Sequence, residues 1–490
     1  MNEKRIEGRT KWSYCIGSTG RDMAYTLINM YLLAYIQYTM QLSVAQFTAI
    51  SACVVICMIW DAINDPLMGI IIENCHFKLG KFRPFIITGA LLNSVVIVLL
   101  FTLRPSGWLF VLFFGISYLL WGMTYTMNDI SYWGMLPSLT SNPNDRNTLV
   151  TLMSIFICIG QFSVAGVLPT VVAGNAVIAY RIASMIIALC FIAFQTLTFF
   201  GVKERPRVDD PEKKMSLKDM FRVLRRNDQL IPIGFASLLF NIASGLLIIF
   251  AVNFFYFEYG YENGGNLIFI FTVMYGLGTL ASQACFTALS KHFSRMTMLR
   301  MLTILIITSY GLLMMFGYIL PKNAILLNAI GFTIFFAQGL YNLIVIVMLN
   351  NTIEYDEYKF GERHDSVISA VRSFSAKLGG AINQGILSLV LIFSGIYSYS
   401  QKITDLEIKT GKGELTSKEV FVQADTIIDQ VAPYQTVILR LGMVLIPVMV
   451  FTFCYILIRR KYRIDEREYK RIVTEIEKKK SSLSLNDNPT

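Results

Sequence analysis

About twelve apolar stretches follow one another along this 490-residue chain, each close to the roughly 20 residues a helix needs to cross the hydrocarbon core of a bilayer. They centre near Leu32, Cys57, Ser94, Tyr118, Cys158, Ile187, Ala243, Tyr275, Ile307, Phe335, Leu387 and Met449. No water-soluble core absorbs so many. Inside lipid every backbone N–H and C=O must be paired within its own segment, so the stretches predict spanning helices and an all-α membrane protein. Composition agrees: 54% of the residues are hydrophobic and 16% charged, against about 25% charged in an average soluble domain, which excludes an ordinary globular enzyme. The residues from Met1 to Lys11 are charged and hold no apolar core with a small-residue cleavage site, so no cleaved signal peptide is expected.

The formal charge of +10 invites a nucleic-acid reading, but its distribution points elsewhere. Basic residues gather before the first stretch (Lys4, Arg5, Arg9, Lys11), between the second and third (Lys78, Lys81, Arg83), at a polar midpoint from Lys203 to Arg226, and after the last stretch from Arg459 to Arg463. Alternate loops are nearly free of them, which is the positive-inside pattern of a multi-pass protein of the cell membrane with both termini cytoplasmic. No nucleic-acid partner is expected. The midpoint divides the chain into an N-terminal six-helix bundle (1–201), a cytoplasmic linker (202–228), a C-terminal six-helix bundle (229–459) and a basic tail (460–490). Within the tail, Glu466 to Lys480 reads as a charged helix and Ser481 to Thr490 as a disordered end. Basic loops after the second and eighth helices hint at an internal duplication, as in transporters that hold substrate between two repeats. One loop, Ile396 to Pro433, is out of proportion and falls on the outer face. The eight cysteines show no metal-ligand spacing and read as small buried hydrophobes. No phosphate-cradling glycine loop is present, so nucleotide-driven pumping lacks its machinery and no cofactor is expected.

Ionisable residues inside spanning helices cost several kcal/mol, and their default meaning is functional. In Trp60-Asp-Ala-Ile-Asn-Asp-Pro-Leu-Met-Gly69, Asp61, Asn64 and Asp65 stand at i, i+3 and i+4, on one helix face. Two carboxylates and an amide oxygen offer hard ligands to a small cation, or a shared site for a proton. Pro66 frees a backbone carbonyl one turn back. In the fourth helix Thr126, Asp129 and Trp133 share another face, and a carboxylate beside an indole suits a sugar: hydroxyls on the acid, the apolar ring face on the indole. Arg21 and Asp22 open the first helix, where Arg21 stands between two readings, a functional intramembrane charge and a side chain that snorkels to the interface. Arg372 and Lys377 lie in the eleventh, and Lys377 needs a counter-charge across the bundle, for which Asp61 and Asp65 are the candidates.

These strings, with Gly80-Lys-Phe-Arg-Pro84, Trp121-Gly-Met-Thr-Tyr-Thr126 and Lys377-Leu-Gly-Gly380, resemble in order and spacing the signatures of the glycoside-pentoside-hexuronide:cation symporters of the major facilitator superfamily, in its melibiose-permease branch. The resemblance spans the whole chain. It implies a coupling-cation site of Asp61, Asn64, Asp65 and Thr126, with Asp61 and Asp65 as the metal ligands if the cation is sodium. It implies a sugar site of Asp22, Asp129 and Trp133, with Arg372 and Lys377 beside it, and an inner gate in which Arg146 pairs with Glu354 and Arg363 takes part. Ser154, Asn342 and Met58 depart from the melibiose-carrying pattern, so the sugar is not expected to be melibiose, and Arg372 leaves an acidic sugar open beside a neutral one. Sodium and protons both remain open as the coupling cation. A lysolipid carrier of the same superfamily and a non-transporting sensor with a transporter fold stand as alternatives.

Overall fold

The computed structural model describes residues 7–75, 77, 79–140, 143–204, 217–361 and 365–486. Among them there is no strand, only one isolated bridge between Phe316 and Leu320. The helices are α1 (Gly8–Thr26), which passes through a π-helical turn (Leu27–Tyr31) into α2 (Leu32–Thr39), then α3 (Val44–Asn74), α4 (Arg83–Thr102), α5 (Trp108–Leu139), α6 (Pro143–Val172), α7 (Ala176–Gly201) and α8 (Leu217–Arg226). After these come α9 (Leu230–Tyr259), α10 (Tyr261–His292), α11 (Arg295–Met315), α12 (Ala324–Phe360), α13 (Asp365–Phe393), α14 (Ile396–Gly411), α15 (Ser417–Ile428), α16 (Pro433–Lys461) and α17 (Glu466–Asn486).

Eleven helices, α3 to α7, α9 to α13 and α16, are long and apolar enough to cross a bilayer. The remaining stretch, around Leu32, is the path α1–π–α2. Taken singly, α1 is too polar and α2 too short, because this path is enclosed by other helices. Thr10, Ser13, Ser18, Thr19, Arg21 and Asp22 of α1 are all buried, with α6 and α7 packed along it. Glycines permit that approach: a β-carbon on Gly20 would stand 2.8 Å from the Cys190 carbonyl oxygen of α7, and one on Gly160 of α6 would run into the Thr19 carbonyl. Backbones brought into contact by small residues gain dispersion where lipid supplies no hydrophobic drive between helices.

The Gly80-Lys-Phe-Arg-Pro84 string has a local reason. Gly80 takes φ +110°, a conformation that side chains rarely adopt. The Glu204 carboxylate then accepts from the backbone N–H groups of Lys81 (2.7 Å), Phe82 (3.1 Å) and Arg83 (2.8 Å). Arg83 Nε donates to the Phe199 carbonyl at 2.7 Å. An anion on the unpaired amides at a helix start, with the guanidinium on the preceding carbonyls, ties α4 to the end of α7.

Packing divides the chain into two units. The first gathers Met1–Glu212, Ile249–Thr272 and Gln384–Leu439; the second gathers Lys213–Ile248, Val273–Asn383 and Arg440–Thr490. In the first, α14 folds against α2 and α7, with α15 packed on α14, at the end that carries the α2–α3 and α6–α7 turns. In the second, buried Arg440 donates to the Met314 carbonyl (3.3 Å) and to that of Phe316, closing the end of α11. Also there, Glu466 accepts from the Arg295 N–H at 2.5 Å and seats α17 at the start of α11. The tail helix runs past Lys480 to Asn486, which corrects the expected disorder over 481–486; residues 487–490 lie outside the described residues.

Candidate binding site in the first unit

The residues predicted to hold a cation meet between α3 and α5. Thr126 Oγ1 donates to Asp65 Oδ1 at 2.9 Å. One turn back on both helices, Gly122 lies against Asp61, whose Oδ1 would be 2.6 Å from a β-carbon at that glycine. The steps 61 to 65 and 122 to 126 run in register, so each carboxylate meets α5 at a residue that either donates to it or leaves room for it. Thr126 and Asn64 are almost fully buried, at 3% and 4% exposure, and Asn64 Nδ2 has no hydrogen-bond partner among the described residues. Two carboxylates, a hydroxyl and an amide therefore stand on adjoining faces, a donor set of hard oxygens.

The second cluster is built from α1 and α5. Arg21 is 2% exposed. Its Nη2 and Nε reach Asp22 Oδ2 at 2.9 and 3.1 Å, and its Nη1 reaches Asp129 Oδ1 at 3.0 Å. The guanidinium carbon stands 5.0 Å from the Tyr132 ring centroid and 5.6 Å from that of Trp133. Of the two readings of Arg21 this disfavours snorkelling: the side chain is enclosed, and its buried charge is compensated by two carboxylates. Gln161 of α6 donates to Asp22 Oδ1 at 3.4 Å. Asp129 and Trp133 keep 36% and 40% of their surface exposed, so an acid oxygen and an indole face remain open to a ligand.

Between the clusters run aromatic rings that sequence reasoning passed over. Phe114, Tyr118, Trp121 and Tyr125 stack along α5 with successive centroids 5.5 Å apart, and Tyr25 of α1 meets Tyr125 at 5.3 Å. Tyr25 lies within the field of Asp129, Asp22, Asp61 and Arg21 together. It is the one described side chain shown to feel both clusters from α1. Within the two clusters themselves the charged members are the carboxylates Asp22, Asp61, Asp65 and Asp129 and the guanidinium of Arg21, an excess of negative charge that favours a cation.

The other predicted residues are placed as follows. Ser154 of α6 turns its hydroxyl back to the Val150 carbonyl at 2.8 Å, and Met58 of α3 is buried at 8% exposure. Arg146 of α6 is exposed and reaches the Thr140 carbonyl at 3.5 Å. Glu354 and Asn342 on α12, and Arg372 and Lys377 on α13, belong to the second unit, with Arg372 exposed. Arg363 lies outside the described residues.

Comparison with known proteins gives concordant matches. The family model described as MFS/sugar transport protein matches residues 13–466. A lactose permease of Lactobacillus helveticus is 25% identical over 98% of this chain and 75% of its own length. A raffinose carrier protein of Pediococcus pentosaceus is 26% identical over 81% of this chain and 64% of its own length. Among solved structures, a bacterial homolog of the human lysosomal transporter Spinster superposes with a TM-score of 0.62 at 12% identity, covering 92% of this chain and 97% of that one.

Proposed function

The chain belongs to the MFS/sugar transport protein family, so it is a multi-pass membrane transporter and not an enzyme, and on that premise we propose that it carries a neutral glycoside together with a monovalent cation by alternating access. One observation carries this reading: α5 forms a wall of both clusters, with Thr126 on Asp65 and Asp129 on Arg21 less than one turn apart. The cation docks among Asp61, Asn64, Asp65 and Thr126. The sugar takes Asp22, Asp129 and Trp133, with Arg21 holding the two acids in place, and Arg372 and Lys377 serving from the C-terminal half. Two ligands on adjoining walls favour the same loaded state, and each raises the other's affinity by the same factor, typically about 5- to 150-fold.

Sodium is the preferred cation, because paired carboxylates with hydroxyl and amide oxygens suit a hard ion. Buried Met58 on the same helix favours the proton as second reading, by keeping the surroundings apolar. A neutral sugar is favoured over an acidic one because Arg21 is already matched by two carboxylates, which leaves no cation of the first unit's cluster for a uronate. The relatives' names, lactose permease and raffinose carrier, point the same way. The proposal includes helical bundles at 1–201 and 229–459 joined by the 202–228 linker, the 460–490 tail and both termini in the cytoplasm, and an inner gate of Arg146 with Glu354 and Arg363.

Uptake of labelled lactose and raffinose into vesicles tests it, with a sodium gradient and a pH gradient imposed separately. Sugar accumulation driven by one gradient and abolished by Asp65→Cys is expected; uptake indifferent to both gradients, or intact in Asp65→Cys, refutes it. Uptake of a lysolipid without any sugar would favour the lysolipid carrier instead.

A further inference from the structure

The long connection between α13 and α16 is folded into two helices, α14 and α15. Its two helices form a polar seam with the N-terminal half, all within the first unit. Tyr397 Oη donates to the Leu42 carbonyl at 2.9 Å, and Gln401 and Thr404 donate to the Gln37 carbonyl at 3.2 and 2.8 Å. Alongside them, the Gln37 side chain and Tyr38 Oη donate to Asn253 Oδ1 at 2.6 and 2.8 Å, and Ser51 meets Ser388 at 2.7 Å. These groups are neutral and exchange for water at about 0.5–1.5 kcal/mol each.

One member differs. Glu407 of α14 is fully buried, and its carboxylate accepts from the backbone N–H groups of Gly174 (2.7 Å) and Ala176 (2.6 Å) at the start of α7 and from Tyr261 Oη (2.7 Å). Asp425 of α15 accepts from the Tyr261 N–H at 2.7 Å, at the start of α10. Two carboxylates of one connection thus sit on the amide-rich ends of two spanning helices, one from each half of the chain.

We propose that α14 and α15 form a releasable latch over this end of the carrier, with Glu407 as the group whose ionisation loosens it. The orientation proposed above makes this the outer end. Burial, against the three donors, pushes the Glu407 carboxyl up from 4.5 to about 7. The titratable groups around it are phenols: Tyr261 of α10, Tyr256 of α9 and Tyr180 of α7. On its own helix Lys409 pairs with Asp405 at 2.7 Å, and no charged side chain of a described residue acts on Glu407. In an open latch the carboxyl is solvated and ordinary. Closure therefore takes up a proton: it is strongest below pH 4.5 and is lost as pH rises to about 7, tenfold for each pH unit between those values.

The test places a Thr404→Cys reporter on α14, where the side chain is fully buried against the Gln37 carbonyl, in the full-length chain and labels it in right-side-out vesicles with a membrane-impermeant maleimide, the parent chain supplying the background of native cysteines. Glu407→Gln is measured beside it at every pH, so that the ratio of the two cancels the chemistry of the thiol. The ratio is expected to rise more than tenfold between pH 5.5 and 8 and to level off above about pH 7. A flat ratio overturns the proposal. Tyr261→Phe withdraws one donor from the carboxylate and is expected to move the midpoint to higher pH; an unmoved midpoint overturns the assignment to Glu407. Should Glu407→Gln fail to fold, corrected wild-type and Tyr261→Phe curves carry the same decision. The titration seen only in inverted vesicles would support the latch while refuting the orientation.

Discussion

Gly122→Ala is the sharpest probe of the cation cluster. The added β-carbon would stand 2.6 Å from Asp61 Oδ1, where ordinary contact begins at 3.4 Å, so the carboxylate must retreat by about 0.8 Å. It can do so, being the far end of a side chain, and alanine is a better helix former than glycine, so the fold should hold. A metal ligand cannot absorb such a shift, because coordination distances tolerate about 0.2 Å. Losing good geometry at one ligand costs about 10- to 100-fold in affinity, or roughly 1.4–2.8 kcal/mol. The assay is sugar uptake at constant membrane potential as a function of cation concentration, with sugar binding measured in the absence of cation. The half-saturating cation concentration should rise by that factor while uptake at saturating cation and cation-free sugar binding persist. Gly115→Ala on the same helix is the control: its β-carbon meets only Cys53 Sγ, at 3.6 Å. A Gly122→Ala curve within twofold of wild type, or equal losses in both variants, would refute the placement of Asp61 as a ligand.

Thr126→Ala removes a hydroxyl ligand and the hydrogen bond that orients Asp65, and should weaken cation activation about tenfold, with Thr126→Ser restoring most of it; cation titration of uptake decides. Asp129→Asn should abolish sugar binding, read by isothermal titration calorimetry, while the thermal melting point stays within a few degrees, since Arg21 keeps Asp22 as its partner. Glu204→Gln cannot accept three N–H groups as an anion does, and should destabilise by about 1.5–3 kcal/mol, seen as a lower melting temperature in detergent with uptake per folded molecule retained.

Asp61, Asn64 and Asp65 were legible because charge in a spanning stretch and i, i+3, i+4 spacing are both sequence properties. Thr126 was first placed by spacing on the face of Asp129 and Trp133, and its place beside Asp61 and Asp65 entered only through the family resemblance. Gly122 was missed although it stands at i−4 from Thr126, the same spacing that separates Asp61 from Asp65. Arg21 was left undecided because one basic residue near a helix start looks alike whether it snorkels or is enclosed; the polar residues along the rest of α1 were the signal that it is enclosed. Glu204 and Glu407 escaped for a different reason. Their partners are mainly backbone amides more than a hundred residues away, which any side chain could supply and no pattern announces.

The contact of α1 with α7 through glycine extends further than the seam or the sugar cluster considered singly. At 26 residues, α7 is a rod about 39 Å long. Just past its middle the Cys190 carbonyl lies close against α1 at Gly20, next to Arg21, and at its start the first amides are held by Glu407, about 21 Å away along the helix. With no side chains between the two backbones to cushion it, a ligand that displaces Arg21 pushes directly on this rod. On the readings proposed above, such a rod is expected to link the sugar site to the latch, so that labelling of the latch should respond to added sugar as well as to pH.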